Sequence, residues 1–215
     1  MAHDKTDIVL LPEGRLINHS LFERSVFKKD EKSAPGKPMY TVEIAFDPKL
    51  VSGEGTVEDK LADAIEAKWG ATHAQNWLDN KRGYWSPLHE GDEMAAKRAE
   101  KGKEGDAYKG LLVIRANTAF NKDGKEAPGG LAVYGPDATP IGVLQQDQVY
   151  QGCYGIAAVT IDTFEAANGD KCVKFYLKAF QKTRDGEKLT APQANPFKPV
   201  EGAAPAEGVR RRRAG

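Results

Sequence analysis

Hydrophobic and polar positions alternate most clearly in two runs toward the carboxyl end of the chain, 155–165 and 171–181. A period of two predicts β-strands, because successive side chains of a strand point to opposite faces. Between the runs lies Asn168-Gly169, a dipeptide that tolerates positive φ and favours a tight turn. The two runs are therefore predicted to form an antiparallel hairpin.

The length of the loop sets the register of this hairpin. A two-residue loop would put Val159 opposite Lys178 and mix the faces, because opposed residues point to the same side of a sheet. A three-residue loop, with Gly169 in the left-handed bulge position, puts Val159 opposite Leu177 and keeps the apolar faces together. The sequence therefore favours the three-residue loop. Two further opposed pairs follow from it: Ile161 with Phe175, and Asp162 with Lys174.

One face of the second strand alternates cations with aromatic rings. This face consists of Lys174, Tyr176, Lys178 and Phe180, and it continues into Lys182 and Arg184. Rings that stack on bases beside cations that contact phosphates are typical of surfaces that bind single-stranded nucleic acid. Arg115 and Asn117, on a strand predicted at 109–117, extend this surface if the two strands adjoin. The alternative is a solvated face or edge, with the rings covered by a neighbouring helix or subunit.

The remaining periodicity predicts a mainly β domain with helical insertions, an α+β fold. Strands are expected at 14–27, where a bulge bends the strand, at 40–46 and at 131–134. Val57, Leu61, Ile65 and Trp69 recur every four residues and predict the buried stripe of a helix that begins with a capping box at Thr56 and Asp59. Shorter helices at about 72–78 and 94–101 extend the helical insertion to about 56–104. Trp85 is the tryptophan that packing explains least.

Composition restricts the functional classes. Lysine plus arginine and aspartate plus glutamate both number 31, so the formal net charge is zero and any contact with nucleic acid must use local patches. Cys153 and Cys172 cannot make a disulfide framework, which is consistent with small buried side chains in a reducing cytoplasm. No signal peptide or membrane span is predicted.

No catalytic or metal-binding motif is apparent. The acidic segment 89–93 is interpreted as a turn followed by a helix with its N-cap at Asp92, in preference to a site for a hard metal ion. The four histidines fall in unrelated segments, and no nucleophile elbow or phosphate-binding glycine loop is present. We therefore expect a binding protein rather than an enzyme, without metal or cofactor. A nuclease that uses the acids of 89–93 is the enzymatic alternative.

The composition changes after residue 189. Proline, alanine and glycine dominate from there, so 1–189 are predicted to form the binding domain and 190–215 a flexible tail. The tail has a basic tip formed by Arg210, Arg211, Arg212 and Arg213. A tethered arginine cluster is expected to add phosphate contacts to single strands, and weak contacts to duplex DNA. The alternative is a tail that contacts nothing.

Six segments of the chain occur in a characteristic order: GRLINHSLFERSVF (14–27), PMYTVEIAFDP (38–48), HEGDE (89–93), YKGLLVIRAN (108–117), VYQGCYG (149–155) and QKTRDGEKL (181–189). Together they resemble the phage single-stranded DNA-binding proteins long catalogued as a domain of unknown function. The resemblance covers about 14–189 and implies an antiparallel β-barrel of the OB-fold type, related to the single-stranded DNA-binding proteins of short-tailed phages. Many such proteins end in an acidic tail, whereas the tail of this chain is basic.

The resemblance also implies a role. Proteins of this kind coat single-stranded DNA with little sequence preference during phage DNA replication, recombination and repair. The implied location is the cytoplasm of the bacterial host, and the implied partners are single-stranded DNA, phage replication or recombination proteins, and further copies of the chain. The alternative is an OB-like module that holds a protein partner and does not bind nucleic acid.

Overall fold

The computed structural model describes residues 7–26, 37–118 and 130–189. Within these residues the chain folds into one nine-stranded sheet with three α-helices and three short 3-10 helices. The tail predicted at 190–215, with its arginine cluster, lies outside the described residues. A mainly β fold with a few helices agrees with the α+β class predicted from the sequence.

The strands are β1 (Val9–Leu10), β2 (Gly14–Ser25), β3 (Met39–Phe46), β4 (Tyr84–Trp85), β5 (Leu88–Glu90), β6 (Leu112–Asn117), β7 (Ala132–Tyr134), β8 (Tyr154–Glu165) and β9 (Lys171–Arg184). The α-helices are α1 (Val57–Trp69), α2 (Ala71–Leu78) and α3 (Gly91–Ala99), and all three lie between β3 and β6. The 3-10 helices are Pro48–Leu50, Asp106–Tyr108 and Val143–Gln148.

Five of the strands pair in a ring. β2 pairs with β3 and β3 with β6, both antiparallel. β6 runs parallel to β9, β9 is antiparallel to β8, and β8 pairs again with β2. The sheet is mainly antiparallel, as the expected antiparallel barrel requires, but it is not purely so, because β4, β6 and β7 all run parallel to β9. β6 and β9 do adjoin, which is the condition for Arg115 and Asn117 to extend the surface of the hairpin.

The hairpin of β8 and β9 has the register that the sequence predicts. Val159 lies opposite Leu177, Ile161 opposite Phe175, and Asp162 opposite Lys174. The Ala166 N–H donates to the Asp170 carbonyl oxygen at 2.8 Å, and the Ala166 carbonyl oxygen accepts from the Gly169 N–H at 2.9 Å. Gly169 has a φ of 85°, as a left-handed bulge position requires. β2 also carries the predicted irregularity, with register shifts after Leu16 and after Ser20.

A bulge in β9 changes the assignment of faces beyond Leu177. Val159 pairs with Leu177 whereas Ala158 pairs with Ala179, so Lys178 has no opposite residue. An extra residue on one strand reverses which of the following side chains point to the core. Phe180 is consequently fully buried and Lys182 is only 8% exposed. The predicted exposed positions of these last two side chains are wrong.

The predicted stripe of α1 packs into the core. Val57, Leu61 and Ile65 are buried, and Trp69 is partly buried against the same cluster. Stripes of this kind stabilise a helix through its packing more than through its intrinsic propensity. Among the described residues, no helix is long and apolar enough to cross a membrane.

The start of α1 differs from the prediction. The Thr56 side chain makes no capping hydrogen bond, and its hydroxyl instead donates to the carbonyl oxygen of Val51 at 2.8 Å. The carboxylate of Asp59 accepts a hydrogen bond from the backbone of Gly55 at 2.9 Å. The predicted capping box is therefore wrong, because the preceding turn uses both side chains.

The start of α3 also differs. Glu90 occupies the N-cap position, and the predicted N-cap, Asp92, lies in the first turn of the helix. The Asp92 carboxylate accepts a hydrogen bond from the backbone N–H of Gly110 at 2.9 Å, and the N–H of Gly91 donates to Leu111 at 2.8 Å. The segment 89–93 thus connects the start of α3 by hydrogen bonds to the turn that precedes β6.

Candidate nucleic-acid interface

The outward sides of β4, β6 and β9 form one surface. Strand pairing puts Asn117 opposite Tyr176, and Trp85 opposite Cys172. Opposed residues share a side of the sheet, and alternate residues of a strand do so too, so Cys172, Lys174 and Tyr176 face the same way. We call this surface the β4–β6–β9 face. Its members are Trp85, Arg115, Asn117, Lys174 and Tyr176.

Lys174 and Tyr176 form a cation–aromatic pair on this face. The ammonium of Lys174 lies 5.3 Å from the centre of the Tyr176 ring, within the range of a cation–π contact. Both side chains are half-buried. Burial lowers the pKa of Lys174, while the Asp162 carboxylate opposite it acts in the other direction. The contact positions the ring beside a cation, as a site for a stacked base with an adjacent phosphate requires.

Arg115 is held in place by an acid that the sequence analysis did not single out. Its Nε atom lies 2.7 Å from Oε1 of Glu43, the residue directly opposite it on β3. The Arg115 side chain is half-exposed, whereas that of Glu43 is only 15% exposed. The pair fixes the guanidinium on the face and neutralises part of its charge, so Arg115 contributes less positive potential than a free arginine would.

Trp85 is the residue of this face that the sequence analysis did not include among the candidate site residues. It is 40% exposed, and its ring meets that of His89 edge-on at a centroid distance of 6.0 Å. Parallel pairing of the two-residue strand β4 with the start of β9 brings it there. The sequence does contain a sign of its role: Trp85, just before Ser86-Pro87, belongs to no periodic pattern of apolar residues that would place it in the core.

Three of the predicted site residues lie elsewhere. Phe180 is in the core, and the ammonium of Lys182 donates to the Gln148 carbonyl at 2.7 Å and to the Asp185 carboxylate at 2.6 Å. Arg184 stacks on the Tyr154 ring at 3.4 Å and pairs with Glu13 at 3.1 Å. Arg184 is eight residues beyond Tyr176, or roughly 26 Å along the strand. These three side chains hold the end of the hairpin and do not extend the face.

The remaining predicted residue, Lys178, is the bulged residue of β9 and is exposed. It directly follows the part of β9 that carries Lys174 and Tyr176. The structure therefore brings together Arg115, Asn117, Lys174 and Tyr176, with Lys178 beside them.

The acidic segment 89–93 has no metal-binding geometry. No group of three or more potential metal ligands occurs in the part of the chain that the structure describes. Glu93 pairs with Lys97 at 3.2 Å, and the Asp92 carboxylate is used by the turn before β6. These contacts show that Asp92 and Glu93 stabilise α3 and its junction with the turn before β6.

Solved structures of similar fold include two phage proteins. The single-stranded DNA-binding protein from bacteriophage Enc34, in complex with ssDNA, has a TM-score of 0.55 and 12% identity, and the match covers 85% of this chain and 89% of that one. The single-stranded DNA-binding protein gp2.5 of bacteriophage T7 has a TM-score of 0.54 and 12% identity, with 91% and 99% covered. No curated protein sequence matches the chain. At this identity the likeness establishes a common fold.

A family model matches residues 13–201, which is most of the chain. The family and the solved neighbours are described as single-stranded DNA-binding proteins rather than as enzymes, in agreement with the expectation of a binding protein. The resemblance drawn from the six ordered segments is confirmed. This protein belongs to the family described as Enterobacter phage Enc34, ssDNA-binding protein.

Proposed function

We propose that this protein binds single-stranded DNA through the β4–β6–β9 face and coats it, with little sequence preference, during phage DNA replication, recombination and repair in the host cytoplasm. The observation that carries the proposal is the contact between the Lys174 ammonium and the half-buried Tyr176 ring, on the same face as the exposed Trp85 ring, in a member of this family. Stacking accepts any base, because every base has a flat aromatic surface. Binding is therefore expected to tolerate sequence changes in the strand.

The two rings of the face are suitable platforms for separate bases. Trp85 is paired with Cys172, which is four residues from Tyr176, so the rings are separated by roughly 13 Å along β9. Each stacked base contributes about 1–3 kcal/mol to binding in proteins of this kind. Lys174, Lys178 and the exposed part of Arg115 would contact the phosphates between and beside the bases. The tail at 190–215, with its arginine cluster, would add phosphate contacts.

We also propose that the ring of five strands is an OB-type barrel. An OB-fold is a five-stranded, partly open Greek-key barrel. The pairing of β2, β3, β6, β9 and β8 supports this, because β6 and β9 adjoin out of chain order. OB-folds bind nucleic acid on their second and third strands. Those strands would be β3 and β6, and Arg115 and Asn117 lie on β6.

Replacing Tyr176 with alanine is expected to weaken binding to single-stranded DNA by about 1–3 kcal/mol, because a stacking platform is lost. The measurement is a titration of a fluorescent oligothymidine, with and without magnesium. The matched control is Tyr154→Ala, since Tyr154 is also half-buried with a cation over its ring but lies near Arg184 at the other end of the hairpin.

We expect the Tyr154 variant to bind as the unaltered protein does. Equal affinity of the two variants, with the fold of each intact, would remove Tyr176 from the interface. Cleavage of the oligonucleotide in magnesium would instead indicate a nuclease. Failure of the unaltered protein to bind any oligonucleotide would favour a module that holds a protein partner.

Replacement of Lys174 or Lys178 with alanine is expected to reduce the slope of log affinity against log salt concentration by about 0.7 each, the value for one phosphate contact to a single strand. Lys188→Ala is the matched control, because the Lys188 ammonium lies 5.1 Å from the Tyr150 ring, beyond the end of β9. Its slope should equal that of the unaltered protein. Three identical slopes would show that the two lysines of β9 do not contact phosphates.

A further inference from the structure

The backbone around Trp85 is anchored to two strands of the sheet. On one side of the residue, the carbonyl oxygen of Gly83 accepts a hydrogen bond from the N–H of Lys171 on β9 at 2.9 Å. On the other side, the carbonyl oxygen of Pro87 accepts one from the N–H of Arg115 on β6 at 3.1 Å. β4 itself contains two residues, and so short a strand has little stability of its own. The angle at which Trp85 leaves the sheet therefore depends on how the neighbouring side chains are held.

Tyr84, the other residue of β4, points away from the β4–β6–β9 face. Successive side chains of a strand lie on opposite sides, and Tyr84 packs against the larger hydrophobic cluster of the core whereas Trp85 is 40% exposed. The Tyr84 hydroxyl oxygen lies 2.6 Å from Nδ1 of His73 and 3.4 Å from Nδ2 of Asn76. An amide nitrogen can only donate, so the hydroxyl accepts from Asn76 and donates its own proton to His73.

Both partners of this hydroxyl lie on α2, a helix that the core anchors. Ala74 and Trp77 of α2 are buried, and they directly follow His73 and Asn76 along the helix. The Tyr84 ring also contacts the imidazole of His73, at a centroid distance of 6.1 Å and an interplanar angle of 47°. α2 thus holds the far end of the Tyr84 side chain, and a rotation of β4 about its own axis would break these contacts.

We propose that Tyr84 is a positioning residue of the nucleic-acid interface: its hydrogen bond to His73 fixes the rotation of β4 and so holds the Trp85 ring at the angle that a stacked base requires. Tyr84 and Trp85 are consecutive, so a rotation of the two-residue strand moves both rings together. Tyr84 acts through Trp85 and does not itself contact DNA. The inference rests on the proposed function, in which Trp85 is a platform for a base.

A double-mutant cycle tests whether Tyr84 acts through Trp85. The full chain is titrated with the fluorescent oligothymidine. Tyr84→Phe removes the hydroxyl and keeps the ring, and we expect it to weaken binding about threefold to tenfold, the effect of one hydrogen bond. In a chain that carries Trp85→Ala, the same substitution should change affinity less than about twofold, because the platform that it displaces is already absent.

Three further variants separate positioning from the loss of any hydroxyl. Tyr150→Phe removes a hydroxyl that donates to Asp185 at 2.8 Å beside the open end of the hairpin, and it should bind as the unaltered protein does. His73→Ala removes the acceptor on α2 and should lower affinity as much as Tyr84→Phe. His73→Asn restores an acceptor close to the position of Nδ1 and should recover most of the affinity. If Tyr84→Phe does not fold, the two His73 variants take its place in the cycle.

The orientation of the Trp85 ring can also be followed in the free protein. Labelling the chain with 5-fluorotryptophan gives a fluorine resonance for each of the three tryptophans, and Trp85→Phe assigns that of Trp85. We expect Tyr84→Phe and His73→Ala to shift or broaden this resonance, and His73→Asn to leave it near its original position. A resonance that moves in this way in a chain that binds no oligonucleotide would support the positioning of Trp85 and reject the proposed function.

Three results would overturn the inference. One is an equal loss of affinity from Tyr84→Phe with and without Trp85→Ala, which would mean that Tyr84 affects binding independently of Trp85. Another is an affinity or a Trp85 resonance that neither Tyr84→Phe nor His73→Ala changes. The third is undiminished binding by Trp85→Ala, which would remove the platform that Tyr84 is proposed to hold.

Discussion

Replacing Phe180 with alanine should destabilise the protein by about 3–5 kcal/mol, the usual cost of truncating a buried phenylalanine in a core. The ring is fully buried and belongs to the main hydrophobic cluster. It packs so closely on β8 that a Cβ atom at Gly155 would overlap it. Urea unfolding followed by tryptophan fluorescence measures the change in the free energy of unfolding.

The matched control is Phe164→Ala at the other end of the hairpin, where the side chain is 37% exposed. We expect a loss of less than about 2 kcal/mol there, because less of the ring leaves water on folding. A stable Phe180 variant with weakened binding to single-stranded DNA would show that the ring is exposed and that the bulge at Lys178 is misassigned.

The sequence predicts the hairpin well because its determinants are local. The loop glycine and the apolar positions of the two strands are within thirty residues of one another, and only one register keeps Val159, Ile161 and Phe175 on a common face. The bulge at Lys178 is not predictable in the same way. The order Leu177-Lys178-Ala179-Phe180 permits either Ala179 or Phe180 to point inward, and the core accepts the larger ring.

The candidate site is only partly predictable for a related reason. Lys174 and Tyr176 follow from alternation along one strand, but Glu43 and Trp85 reach the face through pairings between distant segments of the chain. Composition also cannot separate a cation that faces solvent from one whose charge is taken up by hydrogen bonds within the fold. Lys182 is in the second class, since the bulge buries its side chain and its ammonium donates to the Gln148 carbonyl oxygen and to the exposed Asp185 carboxylate.

The segments that carried the family resemblance support packing more than they support DNA contact. In HEGDE, a Cβ at Gly91 would overlap the backbone carbonyl oxygen of Tyr108. In VYQGCYG, Gly152 donates its N–H to Leu16 at 2.7 Å, and Gly155 leaves room for Phe180. These motif glycines therefore identify the fold, while Trp85, Lys174, Tyr176 and Lys178 lie between the motifs and only Arg115 and Asn117 of the proposed binding residues lie within one, YKGLLVIRAN.

Because Gly152 is one of these closely packed glycines, its replacement is expected to have a second large effect on stability. Its φ is 109°, a conformation that side chains other than glycine rarely adopt, and an added Cβ would overlap the backbone carbonyl oxygen of Glu187. Strain in φ and overlap with backbone each cost about 1–3 kcal/mol, so we expect Gly152→Ala to lower the free energy of unfolding by about 3–5 kcal/mol.

Two control variants separate these causes. Gly169→Ala, with a φ of 85° and no neighbour within 4 Å, carries the conformational strain alone and should lose about 1–2 kcal/mol. Gly142→Ala has neither feature, since its φ is −86° and its surroundings are open, and it should change stability little. The expected order of loss is thus Gly152, then Gly169, then Gly142, measured by urea unfolding. Equal losses at Gly152 and Gly169 would mean that the chain after β9 moves away from Gly152, and that the VYQGCYG segment does not fix the end of the hairpin.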